Sequence, residues 1–243
     1  MERVDDLQIN GLTLVQDDGL YAFTGDAVLL SDFVRTRAGD TVCDFGAGTG
    51  IISVLLAAKR KNLRVIACEI QPELCALARK NVERNRLSDR VEVREGDVRE
   101  LFRTLAKPAD AVVCNPPYFR KGSSFPNENE SKARARHEID LTLPELCGAA
   151  EKVLKNGGRF FACYPAERFC EFVCELRAVG LEVKRARAVQ VAAGRAPHLF
   201  LAEAHKGGGF GCVWLPPLIL REGAGDSAEV AEIYQRENKE DEA

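Results

Sequence analysis

Short apolar runs alternate with longer helical stripes between residues 40 and 205. The short runs, each bounded by turn signals, predict buried strands, and apolar positions three and four residues apart predict the helices that cover them. This alternation is typical of a parallel sheet with helices on both faces, so we predict an α/β fold. The last two strands follow each other closely, which predicts an antiparallel edge strand. The seven predicted strands are residues 41–45, 63–68, 91–94, 111–114, 159–163, 181–191 and 199–203.

One helix carries both of its predicted boundaries in the sequence. Thr142 and Glu145 have the spacing of a capping box, in which each side chain satisfies a backbone N–H at the start of a helix. Glycine is the residue that most often follows the end of a helix. We therefore expect a helix that begins after Thr142 and stops at Gly157 and Gly158, just before the fifth strand.

The chain has 243 residues, of which 46% are hydrophobic and 29% charged, as in an ordinary globular domain. We predict a main domain over residues 37–235, an N-terminal segment over residues 1–36 and an acidic tail over residues 236–243. No apolar stretch approaches the roughly 18 residues that span a bilayer, and the first residues are acidic rather than basic and then apolar. We expect a cytoplasmic protein with no membrane partner.

The nine cysteines do not predict a disulfide framework, because their number is odd and no C-x-x-C pair occurs. Most of them lie in apolar runs, as small reduced core residues do: Cys43, Cys68, Cys114 and Cys163. The three histidines, His137, His198 and His205, have no cysteine nearby at the spacing of a zinc site. We therefore expect no metal.

The formal net charge of −3 argues against a chain whose whole surface binds nucleic acid through a positive field. Local runs of basic residues are still compatible with a smaller surface that contacts nucleic acid. Each run has two interpretations, a solvated face or a set of phosphate contacts, and the sequence alone does not choose between them. The runs are Arg120/Lys121, Lys132/Arg134/Arg136, and Lys184/Arg185/Arg187 with Arg195.

A glycine-rich turn follows the first predicted strand, with Gly46, Gly48 and Gly50 at alternate positions after Asp44. A dinucleotide fingerprint needs glycine or alanine three residues after its second glycine, but Ile51 occupies that position. Glycines let the backbone approach a bulky ligand closely. Asp44 suits a positively charged amino group better than a pyrophosphate, and the α-amino group of a methionine moiety fits that description.

Two further acids end the second and third predicted strands. Glu69 is placed to accept hydrogen bonds from two ribose hydroxyls, and Asp97 to accept one from an adenine amino group. Each acid alone is compatible with a surface carboxylate or a helix cap. Because ligands of open α/β sheets bind outside the carboxyl ends of the strands, acids at three successive strand ends favour a cofactor site.

The fourth predicted strand ends in the tetrad Asn115-Pro-Pro-Tyr118. A planar amino group is a poor nucleophile, because its lone pair is delocalised, and it needs acceptors that favour a tetrahedral nitrogen. The side-chain oxygen of Asn115 and the carbonyl of Pro116 would each accept one N–H, and the prolines hold that turn rigid. Asn115 is also a candidate cofactor-binding residue. Tyr118 would stack on the planar substrate. The tetrad and the glycine turn together predict methyl transfer to an amino group.

These motifs resemble those of S-adenosylmethionine-dependent amino methyltransferases: residues 44–50, Glu69, Asp97 and residues 115–118. Residues 16–30, 135–138 and 218–220 further resemble bacterial tRNA1(Val) adenine-N6 methyltransferases, and the similarity covers roughly residues 7 to 234. The resemblance implies a Rossmann-like class I methyltransferase fold and S-adenosylmethionine as cofactor. It also implies methylation of N6 of the adenine beside the anticodon of a valine tRNA. The resemblance further implies that Asp26 and nearby residues of the N-terminal segment close over the cofactor.

Two other sets of residues are candidates on the substrate side. Residues 120–131 have a polar, loop-like composition beside the tetrad, which is compatible with a substrate lid or with an ordinary surface loop. The candidates for substrate contacts are Tyr118, Arg120, Lys121, Arg134 and Arg136. No general base is assigned to His137, because the methylated nitrogen can lose its proton to water.

Two rival interpretations stay open. Release-factor glutamine methyltransferases present the same tetrad to a side-chain amide, but they usually carry a sizeable N-terminal helical domain, and here only about 40 residues precede the first core strand. A scaffold or RNA chaperone that binds the cofactor without catalysis is the second rival, which the intact Asn115 and glycine turn disfavour. One departure from the family is the glycine-rich stretch from Gly207 to Gly211, which has no RNA-binding pattern.

Overall fold

The computed structural model describes residues 2–9, 11–17, 25–60, 62–116 and 141–234. The strands in these ranges are β1 (Glu2–Asp6), β2 (Thr13–Asp17), β3 (Thr41–Phe45), β4 (Arg64–Glu69), β5 (Val91–Glu95), β6 (Ala109–Cys114), β7 (Leu154–Pro165), β8 (Leu181–Gln190), β9 (Leu199–Lys206), β10 (Val213–Ile219), β11 (Arg221–Glu222) and β12 (Gly225–Asp226). The helices are α1 (Gly25–Phe33), α2 (Ile51–Lys59), α3 (Pro72–Arg84), α4 (Leu143–Val153), α5 (Phe169–Ala178) and α6 (Ala228–Ile233), with 3-10 turns at Leu101–Arg103 and Ala166–Arg168.

The central sheet has eight strands in the described ranges, in the order β10-β8-β9-β7-β6-β3-β4-β5. The pairs β3–β4, β3–β6, β4–β5, β6–β7 and β8–β10 are parallel, whereas β9 runs antiparallel to both of its neighbours. The predicted α/β fold with a mostly parallel sheet is confirmed. Because the strands are parallel, the ends of β3, β4, β5 and β6 meet at one carboxyl edge.

Two details of the predicted sheet were wrong. The sheet has eight strands rather than seven, and the antiparallel strand lies inside it, between β7 and β8, instead of at the edge. The additional strand, β10, contains Pro216 and Pro217, and its register with β8 shifts between Leu215 and Leu218. Proline cannot donate to a strand ladder, so a strand with two prolines is tolerated at a sheet edge and at an irregularity, which is where β10 lies.

Alternate residues of the central strands enter two different hydrophobic cores. Val42 and Phe161 belong to the core that α1, α2, α3 and α6 cover, whereas Cys43 and Phe160 belong to the core under α4 and α5. This follows from the two-residue period of a strand, which sends successive side chains to opposite faces. The prediction of helices on both faces is therefore confirmed, and all of Cys43, Cys68, Cys114 and Cys163 are buried as expected.

The predicted capping box of α4 is present. Thr142 accepts a hydrogen bond from the backbone N–H of Glu145, and the Glu145 carboxylate accepts one from the backbone N–H of Thr142 at 2.8 Å. The predicted end of this helix was wrong, because α4 ends at Val153 and β7 begins at once. Gly157, with φ of 71°, lies within β7 where its register with β6 shifts. The glycine pair therefore serves a strand irregularity and not a helix cap.

The N-terminal segment consists of the hairpin β1–β2 and helix α1 in its described parts. Apolar side chains of both enter the same core as α2, among them Leu12, Leu14 and Leu30. Three arginines donate hydrogen bonds to carbonyls at the end of α1 and in the two residues after it: Arg185 to Phe33 at 2.8 Å, Arg60 to Val34 at 2.5 Å and Arg159 to Arg35 at 2.7 Å. Cations at a helix C-terminus complement its partial negative charge and so fix this end of α1. The functional division at residues 36/37 stays a prediction, and the acidic tail, residues 236–243, lies outside the described residues.

Candidate active site

Backbone hydrogen bonds join the strand ends at the carboxyl edge. The amides of Gly46 and Ala47 both donate to the carbonyl of Cys68, at 2.9 and 3.1 Å, and the amide of Gly96 donates to the carbonyl of Glu69 at 2.9 Å. On the other side of β3, Phe45 is the register partner of Cys114, which directly precedes Asn115. The glycine turn thus lies beside Glu69 on one side and beside the start of the tetrad on the other.

The glycine turn has a conformation that requires its glycines. Gly46, Gly48 and Gly50 have φ of 66°, 56° and 84°, in the left-handed region that side chains with a Cβ rarely occupy. A Cβ at Gly50 would also lie 3.3 Å from the Cβ of Ala78 in α3. Gly50 is the N-cap of α2, so the turn delivers the N-terminal N–H groups of that helix to the carboxyl edge.

Asp44 lies beneath this turn and is only 1% exposed. Its Oδ2 accepts a hydrogen bond from the hydroxyl of Ser53 at 2.7 Å, whereas its Oδ1 is buried without a hydrogen-bond partner among the described residues. Burial raises the pKa of Asp44 to about 7, against the lowering effect of the Ser53 hydrogen bonds, and Glu69 adds to the increase. A buried acceptor without a partner is rare and costly, so Asp44 fits a ligand that supplies a donor or a positive charge.

Glu69 is 3% exposed and is held by backbone N–H groups. Its Oε2 accepts from Gly48 at 2.9 Å, and its Oε1 accepts from Ile70 and Gln71 at 2.9 and 3.0 Å. A carboxylate has about four acceptor sites, so three backbone bonds leave about one, on the oxygen that also holds the glycine turn. The carboxylate therefore shapes the turn and has about one acceptor site left, and its binding of two ribose hydroxyls stays a prediction.

Asp97 is at the predicted strand end, but its carboxylate is engaged. Arg99 donates to it through Nε, at 3.0 and 2.9 Å, and through Nη2 at 2.5 Å, and the backbone N–H of Arg99 adds a fourth bond at 2.8 Å. The Arg99 hydrogen bonds lower the pKa of Asp97. Arg99 also donates to Glu145 of α4 at 2.9 Å. An adenine amino group would therefore share Asp97 with Arg99, which sequence spacing did not reveal.

Asn115 and Pro116 directly follow β6, Asn115 partly buried and Pro116 buried. Asp26 lies in the first turn of α1 and is partly buried. The roles of all three stay predictions. The other predicted site residues lie outside the described residues: Tyr118, Arg120, Lys121, Arg134 and Arg136, together with His137 and the predicted lid at 120–131.

The basic run in β8 does not form a free cationic surface. Arg185 pairs with Glu203 at 2.7 Å, and Arg187 pairs with Glu229 at 2.6 Å. Lys184 donates to the carbonyls of Gly209 and Phe210, at 2.7 and 3.2 Å. Intramolecular acceptors thus engage these three side chains, which favours a structural role for them, and phosphate contact by this run stays a prediction. Arg195 differs from the three, since it is exposed in the connection from β8 to β9, at the carboxyl edge.

Sequence reasoning missed two polar residues that support the turn, Ser53 and Asn81. Ser53 holds Asp44, and Asn81 in α3 donates to the carbonyl of Thr49 at 2.9 Å. Ser53 is the one polar position among the first eight residues of α2, which was an available signal. Asn81 is fully buried, but it follows Lys80 on a charged helix, where an asparagine is ordinarily at the surface.

Within the described part of the chain, no group of three or more His, Cys, Asp or Glu side chains is placed to hold a metal ion. All nine cysteines lie in that part and are free thiols. No described helix is both long enough and apolar enough to cross a membrane.

Residues 12–169 match the Methyltransferase small domain family. The chain belongs to this family. It is 33% identical over 175 residues to the tRNA1(Val) (adenine(37)-N6)-methyltransferase of Trichodesmium erythraeum, which covers 71% of this chain and 72% of that protein. It is 31% identical over 182 residues to the protein of the same name from Shewanella amazonensis, covering 75% and 77% of the two chains. The family resemblance that the motifs indicated is confirmed, and S-adenosylmethionine is the methyl donor that this family implies.

Solved structures of methyltransferases have the same fold. A predicted O-methyltransferase of Agrobacterium tumefaciens superposes with a TM-score of 0.70 at 19% identity, over 87% of this chain and 96% of that one. TrmN from Thermus thermophilus superposes with a TM-score of 0.54 at 21% identity, over 74% of this chain and 48% of that one. The predicted Rossmann-like class I methyltransferase architecture is confirmed.

Proposed function

We propose that this protein is a cytoplasmic tRNA methyltransferase, which transfers the methyl group of S-adenosylmethionine to N6 of the adenine beside the anticodon of a valine tRNA. The observation that carries the reaction class is the adjacency of Asn115 to the glycine turn across the β3–β6 pair. A side chain that can accept a hydrogen bond from the substrate's amino group thus lies next to a turn that fits an adenosyl cofactor. The names of the relatives support tRNA and adenine N6 as the substrate.

On the cofactor side, Asp44 would receive the positively charged amino group of the methionine moiety, directly or through a water molecule. Its buried Oδ1, which has no hydrogen-bond partner in the described ranges, supports this role. Glu69 would accept a ribose hydroxyl at its remaining acceptor site, and Asp97 the adenine amino group. Gly46, Gly48 and Gly50 keep side chains out of this space, and Asp26 would close the site from the N-terminal segment.

On the substrate side, the side-chain oxygen of Asn115 and the carbonyl of Pro116 would accept the two N–H groups of the adenine amino group. Two acceptors out of the ring plane favour a more tetrahedral nitrogen and direct its lone pair at the methyl carbon. Bound S-adenosylmethionine supplies a methyl group on a positively charged sulfur, which is a good leaving group. Alignment of the two reactants then accounts for most of the rate, and water takes the amino proton.

Tyr118 would stack on the extruded base, and Arg120, Lys121, Arg134 and Arg136 would contact phosphates. Tyr118 belongs to the tetrad itself, and the four basic residues come after it in the chain. The paired arginines of β8 cannot replace them without losing intramolecular partners.

A protein substrate is not favoured. The relatives are named as tRNA adenine-N6 methyltransferases, which favours neither a protein substrate nor a non-catalytic scaffold.

The test is transfer of labelled methyl groups to bacterial tRNA that lacks the modification, followed by nucleoside mass spectrometry. We expect N6-methyladenosine from the wild-type protein. Asn115→Ala should lower kcat at least about 100-fold, the range for losing one preorganised transition-state contact, with less than about threefold change in cofactor affinity. Asn156→Ala, at an exposed asparagine of β7, is the control and should leave both unchanged. Label in a release factor but not in tRNA would overturn the substrate and leave the amino-group chemistry standing.

A further inference from the structure

Asn81 uses its whole side-chain amide in the interior of the protein, where it is 0% exposed. Its Oδ1 accepts from the backbone N–H of Val15 at 2.6 Å, and its Nδ2 donates to the carbonyl of Val15 at 3.0 Å. The second hydrogen of Nδ2 goes to the carbonyl of Thr49 at 2.9 Å. A single side chain in the middle of α3 therefore joins the N-terminal hairpin to the glycine turn.

Asn85, one helical turn later, binds the hairpin in the same way. Its Oδ1 accepts from the N–H of Thr13 at 3.1 Å, and its Nδ2 donates to the carbonyl of Thr13 at 2.8 Å. Four residues of helix advance about 6 Å and two residues of strand about 6.6 Å, so the two amides match alternate residues of β2. Helix α3 thus acts as the second edge partner of β2, opposite β1.

The two asparagines differ in their third contact. The remaining hydrogen of Asn85 goes to the carbonyl of Asn81, within α3 itself, whereas that of Asn81 goes to the glycine turn. Thr49 stands between Gly48 and Gly50 and is 4% exposed. Its carbonyl is held by Asn81 on one side of the turn, while the N–H of Gly48 is held by Glu69 on the other.

We infer that Asn81 is a positioning residue for the cofactor, and that it makes the shape of the glycine turn depend on the docked N-terminal hairpin. This inference rests on the proposed binding of S-adenosylmethionine at that turn. Three left-handed glycines leave the turn many alternative conformations, and side-chain anchors must select one of them. Glu69 anchors the Ala47–Gly48 peptide through the Gly48 N–H, and Asn81 anchors the Thr49–Gly50 peptide through the Thr49 carbonyl. When the hairpin leaves α3, the Asn81 amide loses two of its three partners and the freedom of its rotamer returns.

The first test compares Asn81→Ala with Asn85→Ala in the full chain. Each substitution removes both hydrogen bonds to one residue of β2, but only Asn81→Ala releases the turn. Calorimetry with S-adenosylmethionine should show binding at least tenfold weaker in Asn81→Ala and at most threefold weaker in Asn85→Ala, with comparable loss of stability in urea. Equal weakening would overturn the inference, because Asn81 would then act only through the hairpin. A wild-type protein that binds no S-adenosylmethionine would instead contradict the proposed function.

The second test needs no substitution, so it stands if Asn81→Ala does not fold. Backbone hydrogen exchange of the wild-type protein is measured at single residues with and without S-adenosylmethionine. The cofactor should slow exchange of the Val15 N–H at least tenfold and that of the Thr13 N–H at most threefold, because only Val15 is joined to the turn by a shared amide. Equal slowing of both, or of neither, would contradict the coupling.

Discussion

Glu69 and Glu203 are both buried carboxylates of the same sheet, but they are satisfied in opposite ways. Glu69 accepts three neutral backbone N–H groups. Glu203 accepts from the guanidinium of Arg185 at 2.7 Å and from the ring of His205 at 2.8 Å. Burial acts to raise the pKa of Glu203, but His205 and Arg185 outweigh it and lower the pKa.

The difference separates a binding site from a structural pair. A carboxylate that is held by neutral donors keeps its net charge available to a ligand, whereas Arg185 neutralises the charge of Glu203 inside the sheet. Asp44 resembles Glu69, since it also accepts from a neutral donor, Ser53, and its other oxygen has no partner in the part of the chain that the structure describes. An acidic residue in the sequence therefore indicates a binding site only when the groups that donate to its carboxylate are known.

The largest expected effect is on the structural side, with Arg185→Met. The substitution leaves the buried Glu203 carboxylate with the His205 ring as its remaining hydrogen-bond partner among the described residues, so the free energy of unfolding should fall by about 3 kcal/mol, the lower end of the range for breaking a buried pair. Arg185 also stacks on Phe33, 3.9 Å from the ring centroid, and the Met side chain keeps part of that packing. Urea denaturation measures the loss. Affinity for S-adenosylmethionine in the folded fraction should change less than twofold. A larger change would mean that the pairing of Glu203 also influences the cofactor site around Glu69.

The next effect concerns pH and Asp44. The folded protein binds the proton of Asp44 more tightly than the unfolded chain does, since burial raises this pKa from 3.8 to about 7. The free energy of unfolding should therefore fall as pH rises through this window, by on the order of 2 to 3 kcal/mol between pH 5 and 7, and Asp44→Asn should remove that slope.

Unfolding at a series of pH values, with Glu203→Gln as control, checks the sign. Because the pKa of Glu203 is lowered, its contribution is present above its ordinary pKa of 4.5 and is lost as pH falls, the opposite direction. A wild-type curve that rises between pH 5 and 7, parallel to that of Asp44→Asn, would mean that Asp44 is ionised throughout.

The smallest of the three effects is Glu69→Gln, measured as cofactor affinity. The substitution preserves shape, but the amide has one oxygen for three backbone donors, and its NH2 group meets either Gly48 or the pair Ile70 and Gln71. Losing a hydrogen bond to a charged acceptor costs about 2 kcal/mol, so Kd should rise roughly 30-fold. Glu203→Gln should leave Kd unchanged. An equal increase in Kd for Glu69→Gln and Glu203→Gln would show that cofactor affinity follows the stability of the whole fold and not the local contacts of the turn.

Much of the fold was predictable because strand and helix periods differ. The strands around the glycine turn, the capping box of Thr142 and the reduced cysteines follow from local pattern alone. The edge strand β10 was not predictable, because Pro216 and Pro217 ordinarily exclude a strand and only its edge position tolerates them. The end of α4 was misplaced because Gly157 and Gly158 suit a helix cap and a strand irregularity equally well.

The candidate site was predictable to the level of strand ends and no further. Asp44, Glu69 and Asp97 all lie where parallel strands place them, because topology decides that edge. Their hydrogen-bond partners lie in other segments of the chain, or lie nearby in sequence with a side-chain direction that residue spacing does not specify. Arg99 lies only two residues from Asp97, but the spacing did not predict that it donates to the Asp97 carboxylate. Asn81 donates to the carbonyl of Thr49, which lies 32 residues away in the chain.

The antiparallel direction of β9 places an exposed loop at the end of the sheet opposite the candidate active site. Strand β9 starts at Leu199, opposite the carboxyl end of β7, and carries the chain about 26 Å to the other end of the sheet, at roughly 3.3 Å per residue. The exposed loop from Gly207 to Gly211 emerges there, with Phe210 90% exposed. An affinity tag or a surface linker inserted in this loop would hold the enzyme on a solid support with its reacting end turned outward, toward an incoming tRNA.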